Sequence, residues 1–234
     1  MSHAFIRENL LRVQERIAAA AMTAGRRAEE ITVIAVSKTH PAEAIRAAYE
    51  AGVRHFGENR VQEWEGKRAG LADVSASWHL VGRLQSNKAA RAANIFDAID
   101  SVDDSALAQR LDRARAEAGA AQKLRVLLEV QIGGEAAKSG AQIHDVAALA
   151  ERFAALSHLE FAGLMCIPPF LEDPEKVRPY FQKLRELRDD IAKKMGRSLP
   201  VLSMGMSHDF SVAIEEGATE VRIGTAIFGE RARK

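Results

Sequence analysis

Residues 31–37 read Ile31-Thr32-Val33-Ile34-Ala35-Val36-Ser37, and Lys38-Thr39-His40-Pro41 follow directly. A continuous run of apolar, mostly β-branched residues leaves no polar side for water. It predicts a strand buried on both faces, as in a parallel sheet covered by helices. Pro41 suits the first turn of a helix reaching Glu50, and Gly52 suits its end. A strand followed at once by a helix is one β/α unit, and the rest of the chain repeats it.

Further strands are predicted over 53–56, 78–81, 96–99, 124–132, 159–166, 201–204 and 220–228. Helical patterns separate them over about 60–69, from 86, then 103–118, 143–156 and 174–195, with a short one ending at Glu216. Eight strands joined by crossovers fit a closed (β/α)8 TIM-type barrel of the α/β class; an open doubly wound sheet is the alternative. Six residues follow Phe228, too few for an eighth outer helix. An additional N-terminal helix over 4–24 is expected to fill that place, because Ile6, Leu10, Val13 and Ile17 recur at helical spacing. With 234 residues and no Pro/Gly-rich linker, residues 1–234 read as a single barrel domain.

Composition narrows the function. Lys plus Arg number 33 against 32 Asp plus Glu, so there is no basic field of the kind nucleic-acid binding needs. Cys166 is the only cysteine, which excludes an internal disulfide and fits a reducing compartment. The first residues carry Arg7 and Glu8 and lack a signal peptide's apolar centre. No apolar run approaches the roughly 18 residues of a membrane span. A cytoplasmic protein is expected.

In barrels of this kind chemistry gathers at the C-terminal ends of the strands, and phosphate often binds at the loops after strands seven and eight. Three segments fall there. Lys38 ends the first strand, Ser203 to Ser207 lead from the seventh strand into a helix, and Arg222, Gly224 and Thr225 lie in the eighth. Ser207 at a helix start, Gly224 permitting close backbone approach and the Thr225 hydroxyl together suit a phosphate. By residue type alone, Ser207 is equally an ordinary cap and Gly224 an ordinary bend. Closing the barrel puts strand eight beside strand one, so Lys38 falls next to that cup. A lysine in an apolar mouth can lose its proton and attack a carbonyl. An aldehyde on a phosphorylated ligand would engage both groups. Arg222 faces the same side as Gly224; set against a pyridine nitrogen it would keep that nitrogen unprotonated, although it could equally pair with an interior carboxylate.

The runs AVSKTHP (35–41), HFGENRVQE (55–63), WHLVGRLQSNK (78–88), GLMCIPP (163–169), LSMGMSHDF (202–210) and VRIGTAIFGER (221–231) resemble the pyridoxal phosphate homeostasis protein family. That family is similar in fold to the N-terminal barrel of alanine racemase. The resemblance spans nearly the whole chain. It implies pyridoxal 5′-phosphate as cofactor, held as a Schiff base on Lys38. It implies phosphate contacts from Ser207, Gly224 and Thr225, and Arg222 facing the ring nitrogen. Asn59 matches a pocket residue, His79 and Met165 are further candidates there, Ser203 is a weaker one, and Lys138 matches a lysine with an accessory role. One departure is visible: His208 stands where the family usually carries an acid after the motif serine, with Asp209 next. A histidine in a first helical turn suits the dipole less than an aspartate does.

Other residues read as structure: Trp64, Trp78 and Phe161 as packing, Cys166 as buried filler, and His144 and His158 as too scattered for a metal site. Two function classes then compete. Racemisation of an amino acid needs a base on each face of the α-carbon. Lys38 supplies one, but the only tyrosines, Tyr49 and Tyr180, are predicted on outer helices, and the chain ends where a racemase would continue into its β-domain. The expectation is therefore a non-catalytic carrier that stores, buffers and delivers the cofactor to apo-enzymes, as a monomer. The alternative is a pyridoxal-dependent racemase. A cofactor-free Schiff-base aldolase would leave the phosphate cup unexplained.

Overall fold

The structure is a computed structural model that describes residues 3–133 and 139–230. Eight parallel strands close into a barrel in chain order: β1 (Thr32–Val36), β2 (His55–Glu58), β3 (Ser77–Leu80), β4 (Ala98–Val102), β5 (Leu124–Val130), β6 (Leu159–Cys166), β7 (Val201–Met206) and β8 (Glu220–Ile223). Closure is made by β1 against β8, with Ile34 opposite Arg222 and Ala35 opposite Ile223. Helices α1 (His3–Thr23), α2 (Ala42–Glu50), α3 (Val61–Arg68), α4 (Ala89–Ile95), α5 (Ser105–Glu117), α6 (Val146–Ala154), α7 (Arg178–Met195), α8 (Phe210–Glu215) and α9 (Thr225–Phe228) complete the elements.

The apolar run of β1 is explained by two cores. Ala35 points outward into the layer between strands and helices, with Phe56, Leu80 and Ile223. Ile34 and Val36 point inward and pack with Val81 inside the barrel. Leu127, Ala162 and Met165 form a second interior cluster. Each fully buried Val, Leu or Ile contributes about 1.5–3 kcal/mol, so both faces of β1 stabilise the fold. Trp64 and Trp78 stack at 3.8 Å between ring centres in the outer layer, and Phe161 packs edge-on to Phe153; they are packing residues as expected. Helix α1 buries Ile6, Leu10, Val13 and Ile17 against α2, α8 and α9. The amide of Asn9 donates to the Ile227 carbonyl at 3.0 Å, fixing α1 over the last turn. Local signals set the helix ends: Asp104 accepts from the Leu107 amide at 2.7 Å to cap α5, and Gly196, at φ 62°, ends α7.

Several boundaries differ from the sequence reading, β2 among them (55–58 rather than 53–56), and three differences have a structural reason. The eighth strand stops at Ile223, not Phe228; Gly224 breaks it and Thr225 opens the four-residue α9. Apolar residues 226–228 look alike as strand or buried helix, and only packing under α1 separates them. Ser207 does not cap a helix either: it lies in a turn over 207–209, and Asp209 precedes α8. The fourth strand lies over Ala98–Val102 rather than 96–99, because Phe96 turns into the outer layer beside Trp64.

Polar side chains fill the N-terminal end of the barrel. His55 Nδ1 lies 3.2 Å from His79 Nε2, and His79 Nδ1 lies 3.1 Å from Asp100 Oδ2. Arg125 Nη2 pairs with Glu220 Oε1 at 2.6 Å and lies 3.7 Å from Asp100 Oδ1. Among the described residues, His79, Asp100 and Glu220 are the group with metal-ligating atoms within 4.8 Å of one another. The Arg125 guanidinium already stands between the two carboxylates, so the group is a buried ion network.

Candidate functional site

At the opposite, C-terminal end the strand termini surround a cavity of about 460 Å³, within the usual range of small-molecule pockets. Lys38, Asn59, Ser207, Arg222, Gly224 and Thr225 all line it. They stand in or just after β1, β2, β7 and β8, and the closure of β1 against β8 brings the two strand pairs together.

The backbone near the last strand forms a donor cradle. The N–H groups of Gly224 and Ala226 both donate to Ser207 Oγ, at 3.3 and 3.2 Å. The turn after β7 and the first turn of α9 thus converge on one point, with the Thr225 hydroxyl beside it. A Cβ at Gly224 would meet the Val36 carbonyl at 3.5 Å, so a side chain would fill the space next to the cradle.

Arg222 is buried and lines the cavity, and two contacts hold its guanidinium. Nη1 donates to Ser203 Oγ at 2.7 Å and Nη2 to the Cys166 carbonyl at 2.7 Å; no carboxylate pairs with it among the described residues. Ser203 is therefore off the cavity wall and acts behind it, orienting the guanidinium. His79 and Met165 are not on the wall: His79 belongs to the ion network and Met165 to the interior apolar cluster. Lys138 lies outside the described residues. His208 is exposed at the cavity rim, where its Nε2 lies 3.1 Å from both the Leu171 and Glu172 carbonyls. It ties the turn after β7 to the loop after β6, a cross-link an acidic residue could not donate. Cys166 is fully buried, and burial pushes its thiol pKa up, which makes it inert.

Lys38 follows β1 in a turn braced by a half-buried cation. Lys67 Nζ donates to the Ser37 carbonyl at 3.0 Å, to Glu58 Oε1 at 3.0 Å and to Glu63 Oε1 at 2.7 Å. Ser37 Oγ donates to Glu58 at 2.7 Å, and the Thr39 amide donates to Glu63. Thr39 has φ 66°, the one non-glycine residue with positive φ among those described. A β-branched residue adopts that conformation only when its surroundings hold it there. Burial pushes the Glu58 pKa up, while Lys67 pulls it down.

Sequence reasoning missed several wall residues. Glu129 lines the cavity, accepts a 2.7 Å hydrogen bond from Ser139 Oγ, and has its pKa raised by burial. Its signal was present: a carboxylate in the apolar strand Val126-Leu127-Leu128-Glu129-Val130. Asp209 also reaches the wall; its Oδ1 accepts from the Met206 amide at 2.6 Å, and burial pushes its pKa up. Gly82 and Arg83 enter from the loop after β3, and Ile167 and Phe170 form an apolar rim.

A parallel barrel with a lysine after its first strand and a donor cradle after its last defines a class, the alanine racemase N-terminal domain family, which matches residues 6–232. Within that class, the chain belongs to the pyridoxal phosphate homeostasis protein family. It is 47% identical to the pyridoxal phosphate homeostasis protein of Aquifex aeolicus over 224 residues, covering 96% of this chain and 97% of that one. The structure of PipY from Synechococcus elongatus with PLP bound superposes with a TM-score of 0.85 at 39% identity, over 96% of this chain and 100% of that one. Alanine racemase of Clostridium difficile is similar at 15% identity and a TM-score of 0.75, over 99% of this chain and 61% of that one, which is a likeness of fold alone.

Proposed function

We propose that this protein holds pyridoxal 5′-phosphate as a Schiff base on Lys38 and serves its homeostasis, storing, buffering and delivering it to apo-enzymes as a monomeric cytoplasmic carrier. The observation that carries this is the convergence of Lys38, Arg222, Ser207, Gly224 and Thr225 on one cavity. The residues fit the cofactor at three separate points. The Gly224 and Ala226 amides with Ser207 and Thr225 suit a phosphate, Arg222 suits an unprotonated pyridine nitrogen, and Lys38 suits an aldehyde. The family membership and the PLP-bound PipY structure support the same ligand. When bound, the cofactor supplies an electrophilic carbon and an electron-withdrawing ring. Asn59 and Arg83 line the wall, and Ile167 and Phe170 add an apolar rim.

Two features favour a carrier over an enzyme. Arg222 is fixed by Ser203 and Cys166, and an arginine there weakens the ring as an electron sink. A second base opposite Lys38 is the other requirement of racemisation. Tyr49 lies on α2 and Tyr180 on α7, both outside the barrel, and neither lines the cavity. The wall carboxyls Glu129 and Asp209 are engaged by Ser139 and the Met206 amide.

The test is an absorbance scan of the cofactor-loaded protein before and after borohydride, with mass mapping of the trapped adduct. The band and the adduct are expected on Lys38 and are expected to vanish in Lys38→Ala. An identical band in that variant, or an adduct mapped elsewhere, would overturn the assignment. Robust interconversion of L- and D-alanine in a chiral assay would overturn the carrier reading.

A further inference from the structure

The wall formed by the loops after β2 and β3 has a second hollow on its far side. A groove of about 610 Å³ runs there, and it shares Asn59, Gly82 and Arg83 with the cofactor cavity. Its remaining lining includes Arg60, Gln62, Gln85 and Lys88. Arg60 and Arg83 are exposed and Lys88 is half-buried. Among the described residues, none of these three cations makes a hydrogen bond or an ion pair through its side chain.

Several other cations of the chain are paired instead. Arg46, Arg91, Arg178 and Arg185 each hold a carboxylate within 2.8 Å. The carboxyls nearest in effect to the groove are engaged elsewhere. Glu63 is bonded by Lys67 and the Thr39 amide, and Glu129 by Ser139. Arg60 acts electrostatically on Glu63 and Arg83 on Glu129 without closing an ion pair, so in a chain of formal net charge +1 the three cations give this one hollow a positive lining. Helix α3 adds to it, since Arg60 at its cap provides no side-chain acceptor for the first-turn amides.

We propose that this groove is a second anion site that takes the phosphate group of a small phosphomonoester, side by side with the cofactor cavity. Three cations suit a dianion better than a single carboxylate, and guanidinium forks match phosphate oxygens. The amides of Gln62, Gln85 and Asn59 offer donors and acceptors to polar groups on the rest of the molecule. The volume is that of one small molecule. The site's existence stands on these residues. Its role, a waiting place for cofactor on its way in or out, rests on the reading of the neighbouring cavity.

The experiment uses protein whose first cavity has been closed by borohydride reduction of the bound cofactor. Calorimetric titration with pyridoxine 5′-phosphate, which lacks the aldehyde, is expected to show one saturable equivalent. Binding is expected to weaken at least about tenfold in Arg60→Ala/Lys88→Ala. It is also expected to weaken as salt rises from about 0.05 to 0.3 M. Neither substituted residue lines the first cavity, and unchanged circular dichroism confirms that the variant folds. Pyridoxine without phosphate is expected not to bind. The proposal is overturned by no saturable binding, by equal binding in the double variant, or by inorganic phosphate binding as tightly as the ester, which would mark an adventitious ion only. Failure to form a Lys38 adduct would instead overturn the first reading. The same titration on Lys38→Ala protein, with and without Arg60→Ala/Lys88→Ala, would then isolate the groove by difference: a saturable equivalent lost in the double variant sustains the proposal, and no such loss overturns it.

Discussion

Replacing Lys67 with methionine tests whether the buried clamp holds both the fold and the Lys38 turn. Lys67 is 13% exposed and Glu58 is not exposed at all. Methionine keeps the side chain's apolar length and removes four contacts, those to the Ser37 carbonyl, both Glu58 oxygens and Glu63. Glu58 then retains only the Ser37 hydroxyl, so a carboxylate is left in the interior without its counter-charge. Breaking a buried pair from one side costs about 3–5 kcal/mol. Glu63, 23% exposed, can turn to water, which places the expected loss near the lower bound, about 3 kcal/mol at neutral pH. The loss should depend on pH. Burial raises the folded-state pKa of Glu58, and without Lys67 only the Ser37 hydroxyl opposes that shift. The folded variant therefore binds a proton more tightly than the unfolded chain. The penalty is present above the raised folded pKa and fades as pH falls through it. Urea denaturation followed by fluorescence of the buried Trp64 and Trp78 measures this at about pH 7.5 and about pH 5. Lys67→Met/Glu58→Gln should recover most of the loss, because the orphaned charge is gone. A loss below about 1 kcal/mol at the higher pH, or one that does not shrink at the lower pH, would refute the reasoning.

Other perturbations follow from the same geometry. Burial, then the nearby His79 and Arg125, hold the His55 pKa down at about 4. A lowered histidine contributes stability that is present above its unfolded value and lost as pH falls toward the folded one. Between about pH 6.5 and 4 the protein should therefore lose about 1–2 kcal/mol that His55→Gln does not lose, after discounting for partial exposure. Parallel stability-versus-pH curves for the two proteins would contradict this. A Cβ at Gly82 would lie 2.5 Å from the Asn59 carbonyl oxygen and 2.8 Å from its Cα, so Gly82→Ala must push Asn59 out of place. Such overpacking costs about 1–3 kcal/mol, and cofactor affinity in a spectral titration should fall about tenfold. His208→Ala removes the link to Leu171 and Glu172, and hydrogen exchange over 167–173 should quicken while exchange in the strands stays unchanged.

The repeat of apolar strands and amphipathic helices was legible because both signals are local. Ile34 and Val36 face in, Ala35 faces out, and neither side meets water, so the barrel class follows from a short run of residues. Lys38 was legible for the same reason, as a charge placed directly after that run. Motifs carried the remaining cavity residues, because Arg222, Gly224 and Thr225 lie within four positions of one another. What escaped depends on partners distant in sequence. Whether residues 226–228 continue a strand or turn into α9 is decided by the packing of α1 and the Asn9 bond to Ile227. That Ser203 orients Arg222 rather than lining the cavity is decided by the register of β7 against β8. Glu58, Glu63 and Lys67 read as ordinary charges on a helix and a strand end. Only the packing of β2 and α3 under the Lys38 turn brings them together, and pairing becomes obligatory for Glu58, which has no exposure to water. The sequence alone determined the order of strands and helices and placed Lys38 directly after the first strand. The tertiary structure alone decided which polar groups lie out of water, and therefore which of them must hold the others in place.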